Sequence, residues 1–592
     1  MTDAPRARPS TQAAPPVRTE VRLAVERALA VAIAAGDLPS PDGATPTVEV
    51  ERPANQEHGD IATNVAMKLA RPLRRSPLEI AGAVAAALRG SADPLLASID
   101  VAPPGFLNMR LADSVLERTI DAILADPAGW GRVRPVRARR VNVEFVSANP
   151  TGPLTIGNAR GAFVGDLLCR VLEAGGQDVT REYYFNDSGA QIDKLGASVL
   201  ALRRGEAVPD DGYHGDYVVT LAAELPDDVW MAASAAAAAS AAAASASPED
   251  GGPAIAGPAI AGPAIAGPAI AGHWAAGRVR AGIEASLARL GVRFDVWTTE
   301  ASLHEHGWVQ RAADKLRAAG HLYEHDGAMW FRSTTFGDDK DRVVIRANGA
   351  PTYFAADIGY VEEKLSRGFD HLIYIWGADH HGTVARVRNA ATAMGYDADA
   401  VEMLLYSWVR FIRDGVEVGM SKRAGTFITL DELLAEVGVD AARWFFASRA
   451  PTSAIDFDIE LAKRQSNDNP VYYVQYAHAR IASILRKATT VGLEPAGTVR
   501  GALGGAPEAA LARAVIRLPE VVEDAASAEE THGITAYATE LATVFHAFYR
   551  DAKVVDPDAP DRSRARLALA EATRITLANA LGLLGISAPD SM

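Results

Sequence analysis

The sequence predicts a multidomain α/β plus α protein, in which a Rossmann-type parallel-sheet domain split by an insertion lies between a small α+β domain and an all-α domain. Three observations carry that reading. The stretch VNVEFVSANPTGPLTIGNARG, Val141 to Gly161, reads as strand, tight loop and helix start: a β-branched and aromatic run, a turn rich in Asn, Pro and Gly, then apolar and small residues at helical spacing. Apolar runs of strand length return after a long helical interruption, in RVVIRANGAPTYFAADIGYVEEKL, HLIYIWGADHHG and VEMLLYSWVRF. From Asp440 onward the pattern is almost wholly helical.

Residues 1–18 are rich in Pro, Ala and Arg without periodicity, and are expected to be a disordered leader. Residues 19–130 alternate helical patterns (VRLAVERALAVAIAAG, LEIAGAVAAALRG) with short strand-like pieces (TVEVERP, FLNMRL), which makes a small α+β domain. The basic link GRVRPVRARR leads into the strand at Val141, and residues 131–450 form the parallel-sheet domain. Its first helix runs through Leu172 and ends at Gly175 and Gly176. VTREYYFND then reads as a second parallel strand whose polar end, Asn186 and Asp187, falls where strand ends meet ligands in open α/β sheets. The insertion, 188–341, is helical and contains a low-complexity segment, 232–272, built of an Ala/Ser tract and four copies of GPAIA. Proline at every fifth residue forbids a regular helix there, so a flexible insert is expected. GMSKRAGTFITLDELLAEVG is a polar loop with a cationic centre followed by a helix. Residues 451–592 form the helical domain, with aromatics at helical spacing in DNPVYYVQYAHARIASILRKA and VFHAFYRDAKVV. Most of those are core, and a few can stack on unpaired bases.

A chain of 592 residues is too long for one core and implies several domains. Apolar residues make up 48% and charged residues 22%, with no uninterrupted apolar run long enough to cross a bilayer and no signal-like start. A cytoplasmic protein without a membrane partner is expected, and a monomer is the default. The single cysteine, Cys169, excludes an internal disulfide framework and a cysteine-cluster metal site; inside the first helix it reads as a small buried apolar side chain. A net charge of -15 argues against indiscriminate nucleic-acid binding, which relies on a surplus of Lys and Arg. It leaves room for a folded RNA met by local basic patches.

A strand–loop–helix junction aims backbone N–H groups and the positive end of a helix dipole into a crevice, where an anion can sit. Downstream stand GDDKDR, YFAADIGY, WGADHHG, GMSKRAGTFITL and NDNPVYYVQYAHAR. Together with PLTIGNARGA, these motifs resemble bacterial arginyl-tRNA synthetase, a class I aminoacyl-tRNA synthetase, from about Glu51 to Met592 outside the low-complexity segment. The resemblance implies an N-terminal domain that touches the elbow of the tRNA, a split Rossmann catalytic domain and a helical anticodon-binding domain. It implies ATP-dependent ligation of L-arginine to tRNA(Arg) through an arginyl-adenylate, with release of AMP and pyrophosphate.

Both attacking groups in such chemistry come from substrates, so the protein supplies positioning and charge stabilisation. By the resemblance, Ala148, Asn149, Pro150, Thr151, Gly152, Pro153, Leu154, Thr155, Ile156, Gly157 and Asn158 form the first signature loop. The second brings Met420, Ser421 and Lys422 to the phosphates. Thr155, Asn158, Ser421 and Lys422 are then the catalytic candidates, and Pro153, Thr155, Gly157, Asn158, Gly377, Asp379, His380, Met420 and Lys422 bind ATP. Thr155 and Asn158 stand where the family carries histidines and Gly419 where it carries a leading lysine. Neutral donors therefore replace imidazoles. Glu144, Asn149, Asp187, Tyr353 and Asp357 are implied to hold arginine, Tyr353 and Asp357 lying four apart on one helical face. Gln191 belongs to the same strand-end motif, in which Ala190 replaces the usual amide.

The adjacent His380 and His381 point in different directions, with no Cys or spaced His to complete a site, so no tightly bound protein metal is expected. Mg2+ enters with ATP, held mainly by phosphate oxygens and water. Two other readings stay open: a catalytically weakened tRNA-binding paralogue, and an adenylyltransferase of the same superfamily that uses no tRNA.

Overall fold

The computed structural model describes residues 15–41, 46–91, 94–245, 267–418, 428–501 and 503–592. These fall into two compact units, one within Met1–Ala138, Arg170–Gly176 and Arg464–Met592, the other within Arg139–Cys169 and Gln177–Lys463. Among the described residues no helix is long and apolar enough to cross a membrane.

The second unit is organised by a five-stranded parallel sheet. Nine of its elements build a crevice at one end of the sheet: β1 (Arg140–Glu144), α1 (Ile156–Ala174), β2 (Asp178–Phe185), β3 (Val296–Thr299), α2 (Glu300–Glu305), α3 (Tyr353–Ser366), β4 (His371–Gly377), α4 (His381–Ala393) and β5 (Val401–Tyr406). The strand order is β5-β4-β1-β2-β3. From β1 the chain winds outward through β2 and β3, then crosses back to lay β4 on the other side of β1. That reversal is the topological switch point of a doubly wound sheet, where a crevice opens beyond the strand carboxyl ends. The strands are near-continuous apolar runs because helices cover both faces: Val141, Val143, Leu372 and Ile373 are fully buried. Cys169 is buried in α1, as its sequence position implies.

Several stretches fold differently from their sequence pattern. RVVI, Arg342–Ile345, joins Leu322–His325 and Ala328–Phe331 in a separate antiparallel sheet instead of the main one. The first two strands of that sheet are joined at Asp326-Gly327, both at positive φ (50° and 72°), the conformation of a two-residue type I′ turn. The run VEMLLYSWVRF breaks after Tyr406, and Val409–Arg413 pairs with Val416–Glu417 and Ile455–Asp458 in a third sheet. A second Asp-Gly turn, Asp414-Gly415, closes that hairpin. Ile455–Asp458 is thus a strand in a region expected to be helical, and β3 emerges from the insertion expected to be helical.

Parts of the low-complexity segment are helical. The Ala/Ser tract continues a helix, Asp227–Ser245, since alanine is the best helix former. The last GPAIA copy opens the helix Gly267–Leu290, with Pro268 in its first turn, where a missing N–H costs nothing. Gly272 has a packing role: a Cβ there would lie 2.2 Å from the Ile192 carbonyl oxygen, so the helix crosses Ala190–Arg203 at backbone contact. The remaining copies lie outside the described residues.

In the first unit, Ile61–Thr63, Phe106–Leu111 and Leu96–Ala102 form an antiparallel sheet beside the helices Val17–Ala34, Val65–Leu73, Pro77–Gly90 and Asp113–Ala125. TVEVERP contributes only a bridge between Glu51 and Ala62. The C-terminal part is helical, from Pro470–Thr490 to Pro560–Leu583. Buried Glu520 accepts both Arg52 Nε (2.6 Å) and Nη2 (2.8 Å), and Arg513 Nε meets Asp60 at 2.7 Å, tying N-terminal and C-terminal parts of this unit together.

Candidate active site

A cavity of about 1470 Å³ opens at the switch point, between the loop that leaves β1 and the end of β4. From the first signature loop it is lined by Ala148, Asn149, Thr151, Gly152, Pro153, Thr155 and Asn158; Pro150, Leu154, Ile156 and Gly157 do not reach it. Leu154 and Ile156 point into the core and anchor the loop. The chain enters the loop through Val146 and Ser147 at φ 69° and 38°, left-handed values that a β-branched residue adopts only where its surroundings impose them. Three bonds impose them here: Ser147 Oγ donates to Glu144 Oε1 (2.9 Å) and accepts from Tyr184 N (3.1 Å), and Tyr183 OH donates to Ala148 O (2.9 Å). Further along, Tyr217 OH donates to Thr151 O (2.7 Å) and Asn149 Nδ2 to Gln191 Oε1 (3.0 Å).

On the other wall stand Trp376, Gly377, Asp379, His380 and Tyr406, with the Trp376 and His380 rings 5.7 Å apart. The cationic loop expected to bring Met420, Ser421 and Lys422 lies outside the described residues. Its C-terminal flank is described, and it is zipped to the first loop: Ile156 N donates to Ile428 O (3.1 Å), Leu430 N to Leu154 O (2.9 Å), and Thr155 bridges Thr429. The helix that follows, Leu430–Val437, is fixed by a capping box between Thr429 and Glu432.

The floor of the cavity is a row of side chains across the sheet. In the parallel register Tyr374 of β4 is the partner of Glu144 of β1, and Glu144 the partner of Glu182 of β2, so all three project from one face of neighbouring strands. Two carboxylates at that spacing repel unless each has a counter-charge. Helix α3 lies over them with Asp357, Tyr360, Lys364 and Arg367 at steps of three, four and three, one helical face. Glu182, fully buried, accepts from Arg367 Nη2, Asn142 Nδ2, Thr298 Oγ1 (each 2.6 Å) and Tyr360 OH (2.7 Å). Glu144 takes Lys364 Nζ at 2.7 Å. Lys364 and Arg367 cancel the two sheet carboxylates.

Asp357 is left over. It lines the cavity and takes no hydrogen bond or ion pair among the described residues. Burial, reinforced by the charges of Glu144 and Glu300, pushes its carboxyl up to about 7. Glu300 is itself raised, chiefly by burial, and accepts from Tyr184 OH at 3.0 Å. Tyr353, one turn before Asp357, stands at the cavity mouth with 64% of its surface exposed.

Of the residues expected to hold arginine, Glu144, Asn149, Tyr353 and Asp357 come together in this cavity and Asp187 does not. Asp187 Oδ1 accepts from Ala301 N (3.1 Å) in the first turn of α2, a capping use that its strand-end position did not disclose. Sequence reasoning missed Tyr374, Lys364 and Tyr406. Lys364 could have been found from its place on the Asp357 face of the helix. Tyr374 and Tyr406 depend on strand register and crossover, which carry no local signal.

Three family models match the chain: the arginyl tRNA synthetase N terminal domain over residues 19–111, the class I (R) tRNA synthetase catalytic domain over 276–456, and the DALR anticodon binding domain over 474–592. An arginine–tRNA ligase of Citrifermentans bemidjiense is 44% identical over 97% of this chain and 100% of its own length. One from Frankia alni is 44% identical over 96% and 99%. Among solved structures, Thermus thermophilus arginyl-tRNA synthetase superposes with a TM-score of 0.72 at 23% identity, over 97% of this chain and 100% of that one.

Proposed function

The chain belongs to the arginyl-tRNA synthetase family, and from that premise we propose how its residues share the ATP-driven ligation of L-arginine to tRNA(Arg). The α-carboxylate of arginine attacks the α-phosphorus of ATP, forming the acyl–phosphate anhydride and expelling pyrophosphate. A ribose hydroxyl of the terminal adenosine of the tRNA then attacks the acyl carbon, and AMP leaves. Neither step needs a side-chain nucleophile, so the work is orientation and stabilisation of charge on phosphorus.

Asp357 takes the guanidinium in bidentate fashion, with Tyr353 closing the mouth and Asn149 directed at the α-amino end. Thr155 and Asn158, at the N-terminus of α1, and Lys422, on the loop whose flank is zipped to them, meet the phosphates. Gly377, Asp379 and His380 border the adenosine. ATP enters as its Mg2+ complex, with the ion on phosphate oxygens and water. Residues 19–130 and 451–592 contact the tRNA, residues 131–450 carry the catalytic site, and the protein acts as a cytoplasmic monomer.

The observation that most supports this reading is the charge balance at the cavity floor. Two of three carboxylates are neutralised from within and Asp357 is presented open, at the switch point where α/β sheets bind ligands. The test is charging of tRNA(Arg) with labelled arginine by wild type, Asp357→Ala and Lys422→Ala. Wild type should charge, and each variant should fall by about 10²-fold or more. Unchanged rates in both variants would overturn the residue assignment.

A further inference from the structure

Two buried guanidinium groups lie against α1, and their surroundings treat them differently. Arg443 Nη2 meets Asp166 at 2.6 Å, a buried charge with its counter-charge. Arg160, in the second turn of α1, has none. Among the described residues no carboxylate pairs with it; its donors go to the carbonyls of Ser407, Trp408, Ala450 and Ser453, and its Nε, also buried, has no acceptor. Burial pulls the guanidinium down to about 10, which leaves it protonated at neutral pH. The ionisable group facing it is Tyr406, a phenol pushed up to about 12, chiefly by burial, and therefore neutral. A buried charge without an opposite charge is costly, and carbonyl dipoles offset only part of that cost. The charge lies directly behind the cavity wall. Asn158 and Tyr406 both line the cavity; Arg160 follows Asn158 by two residues, and its Nη1 bonds the carbonyl of Ser407, the residue after Tyr406. Gly161 lets the Tyr406 ring lie against the helix, since a Cβ there would be 3.2 Å from Tyr406 Cε1.

We propose that Arg160 is a fixed positive charge that strengthens binding of the ATP phosphates from behind the wall formed by Asn158 and Tyr406, its counter-charge arriving with the nucleotide. The proposal rests on the assignment of the N-terminal end of α1 to those phosphates. Lys422 meets the phosphates directly; Arg160 touches no substrate and acts through space. A charge in a dry interior is poorly screened, and its field adds to that of the helix N-terminus, which has the same sign. A unit charge at roughly 10 Å, in an effective dielectric of about 20, alters the binding of one negative charge about tenfold. The cradle of carbonyls serves that end. A carboxylate partner would anchor the guanidinium equally well but would cancel its field at the cavity.

The experiment is steady-state charging of tRNA(Arg) with ATP and arginine varied separately, for wild type, Arg160→Lys, Arg160→Gln and Arg160→Met, together with inhibition by adenosine and by AMP. All three variants lose the planar fork, and only Arg160→Lys keeps the charge. Arg160→Gln and Arg160→Met should raise KM for ATP and the inhibition constant of AMP about tenfold, leaving KM for arginine and the inhibition constant of uncharged adenosine unaltered. Arg160→Lys should stay within about threefold of wild type in each. A scaffold role alone predicts equal losses in all three variants, and equal losses for adenosine and AMP; either result overturns the proposal. So does an unaltered KM for ATP in Arg160→Gln or Arg160→Met. If Arg160→Met does not fold by circular dichroism, Arg160→Gln, whose amide still donates to the carbonyls, decides against Arg160→Lys. Lys422→Ala separates the two failures: an unaffected KM for ATP there means that the phosphate site itself is wrongly assigned.

Discussion

Replacing Asp357 by Asn should stabilise the protein at alkaline pH while abolishing its use of arginine. Burial and the facing charges of Glu144 on β1 and Glu300 on α2 raise the carboxyl from the ordinary aspartate range up to about 7; Tyr184, Tyr360 and Tyr374 also face it and stay neutral, while Lys364 is committed to Glu144. The folded carboxyl therefore binds its proton more tightly than the unfolded one, and ionising it penalises the folded state. That penalty is complete above about pH 7, shrinks as pH falls from 7 towards 4, and is gone below. A displacement of about three in pKa corresponds to roughly 4 kcal/mol at 1.36 kcal/mol per unit, and partial solvation of a cavity-lining group reduces this to about 1–2 kcal/mol. Thermal unfolding without ligand at pH 8.5 should put the variant a few degrees above wild type, and the gap should close by about pH 4.5. Saturating arginine should raise the wild-type Tm and leave that of the variant unchanged. A variant less stable than wild type at pH 8.5, or a gap independent of pH, would refute the reasoning.

Three further outcomes are expected. The kcat/KM for arginine in wild type should climb with pH to a plateau above about pH 7, because only ionised Asp357 pairs with the guanidinium; a flat profile between pH 6 and 8 would contradict this. Asn158→Ala should lower charging at least tenfold, about 1.4 kcal/mol, by removing amide donors at the N-terminus of α1; a neutral result would assign that work to backbone N–H groups. Arg160→Lys should cost about 2–4 kcal/mol in urea unfolding. The buried Arg160 guanidinium donates to the carbonyls of Ser407 (2.6 Å), Trp408 (3.1 Å), Ala450 (3.2 Å) and Ser453 (2.6 Å), a planar reach that an ammonium does not have.

The same arginine explains part of what the sequence pattern concealed. VEMLLYSWVRF looks like one strand because its apolar residues are continuous, but Arg160, some 250 positions away, gathers the carbonyls at Ser407 and Trp408 and turns the chain between two sheets. No local signal carries such a contact. The hairpins at Asp326-Gly327 and Asp414-Gly415 are the opposite case, since the dipeptide itself announces a two-residue turn, the first inside the insertion expected to be helical and the second just beyond the run VEMLLYSWVRF. The strand, loop and helix from Val141 were legible because both their periodicity and their turn residues are local. The bond from Ala301 N to Asp187 was not legible, because a strand-end carboxylate serves a ligand or a helix equally well and the position of Ala301 carries no local signal.

The departures at Thr155 and Asn158 become intelligible once the anchoring of the loop is considered. An imidazole that must find a phosphate oxygen from a mobile loop benefits from its length. Here the loop is pinned by Leu154 and Ile156 in the core, by Tyr183 and Tyr217 on its carbonyls and by the backbone bridge to Thr429. Donors so fixed lose little freedom when they bind, and a preorganised neutral donor at the right place stabilises developing negative charge without reorganising. The position of the N–H and O–H groups, more than the residue type that bears them, is then what the site requires, and the cation that complements them is left to Lys422. Doubling the ionic strength should accordingly weaken ATP use through the lysine while leaving the contribution of Asn158, measured as the wild-type to Asn158→Ala ratio, unchanged.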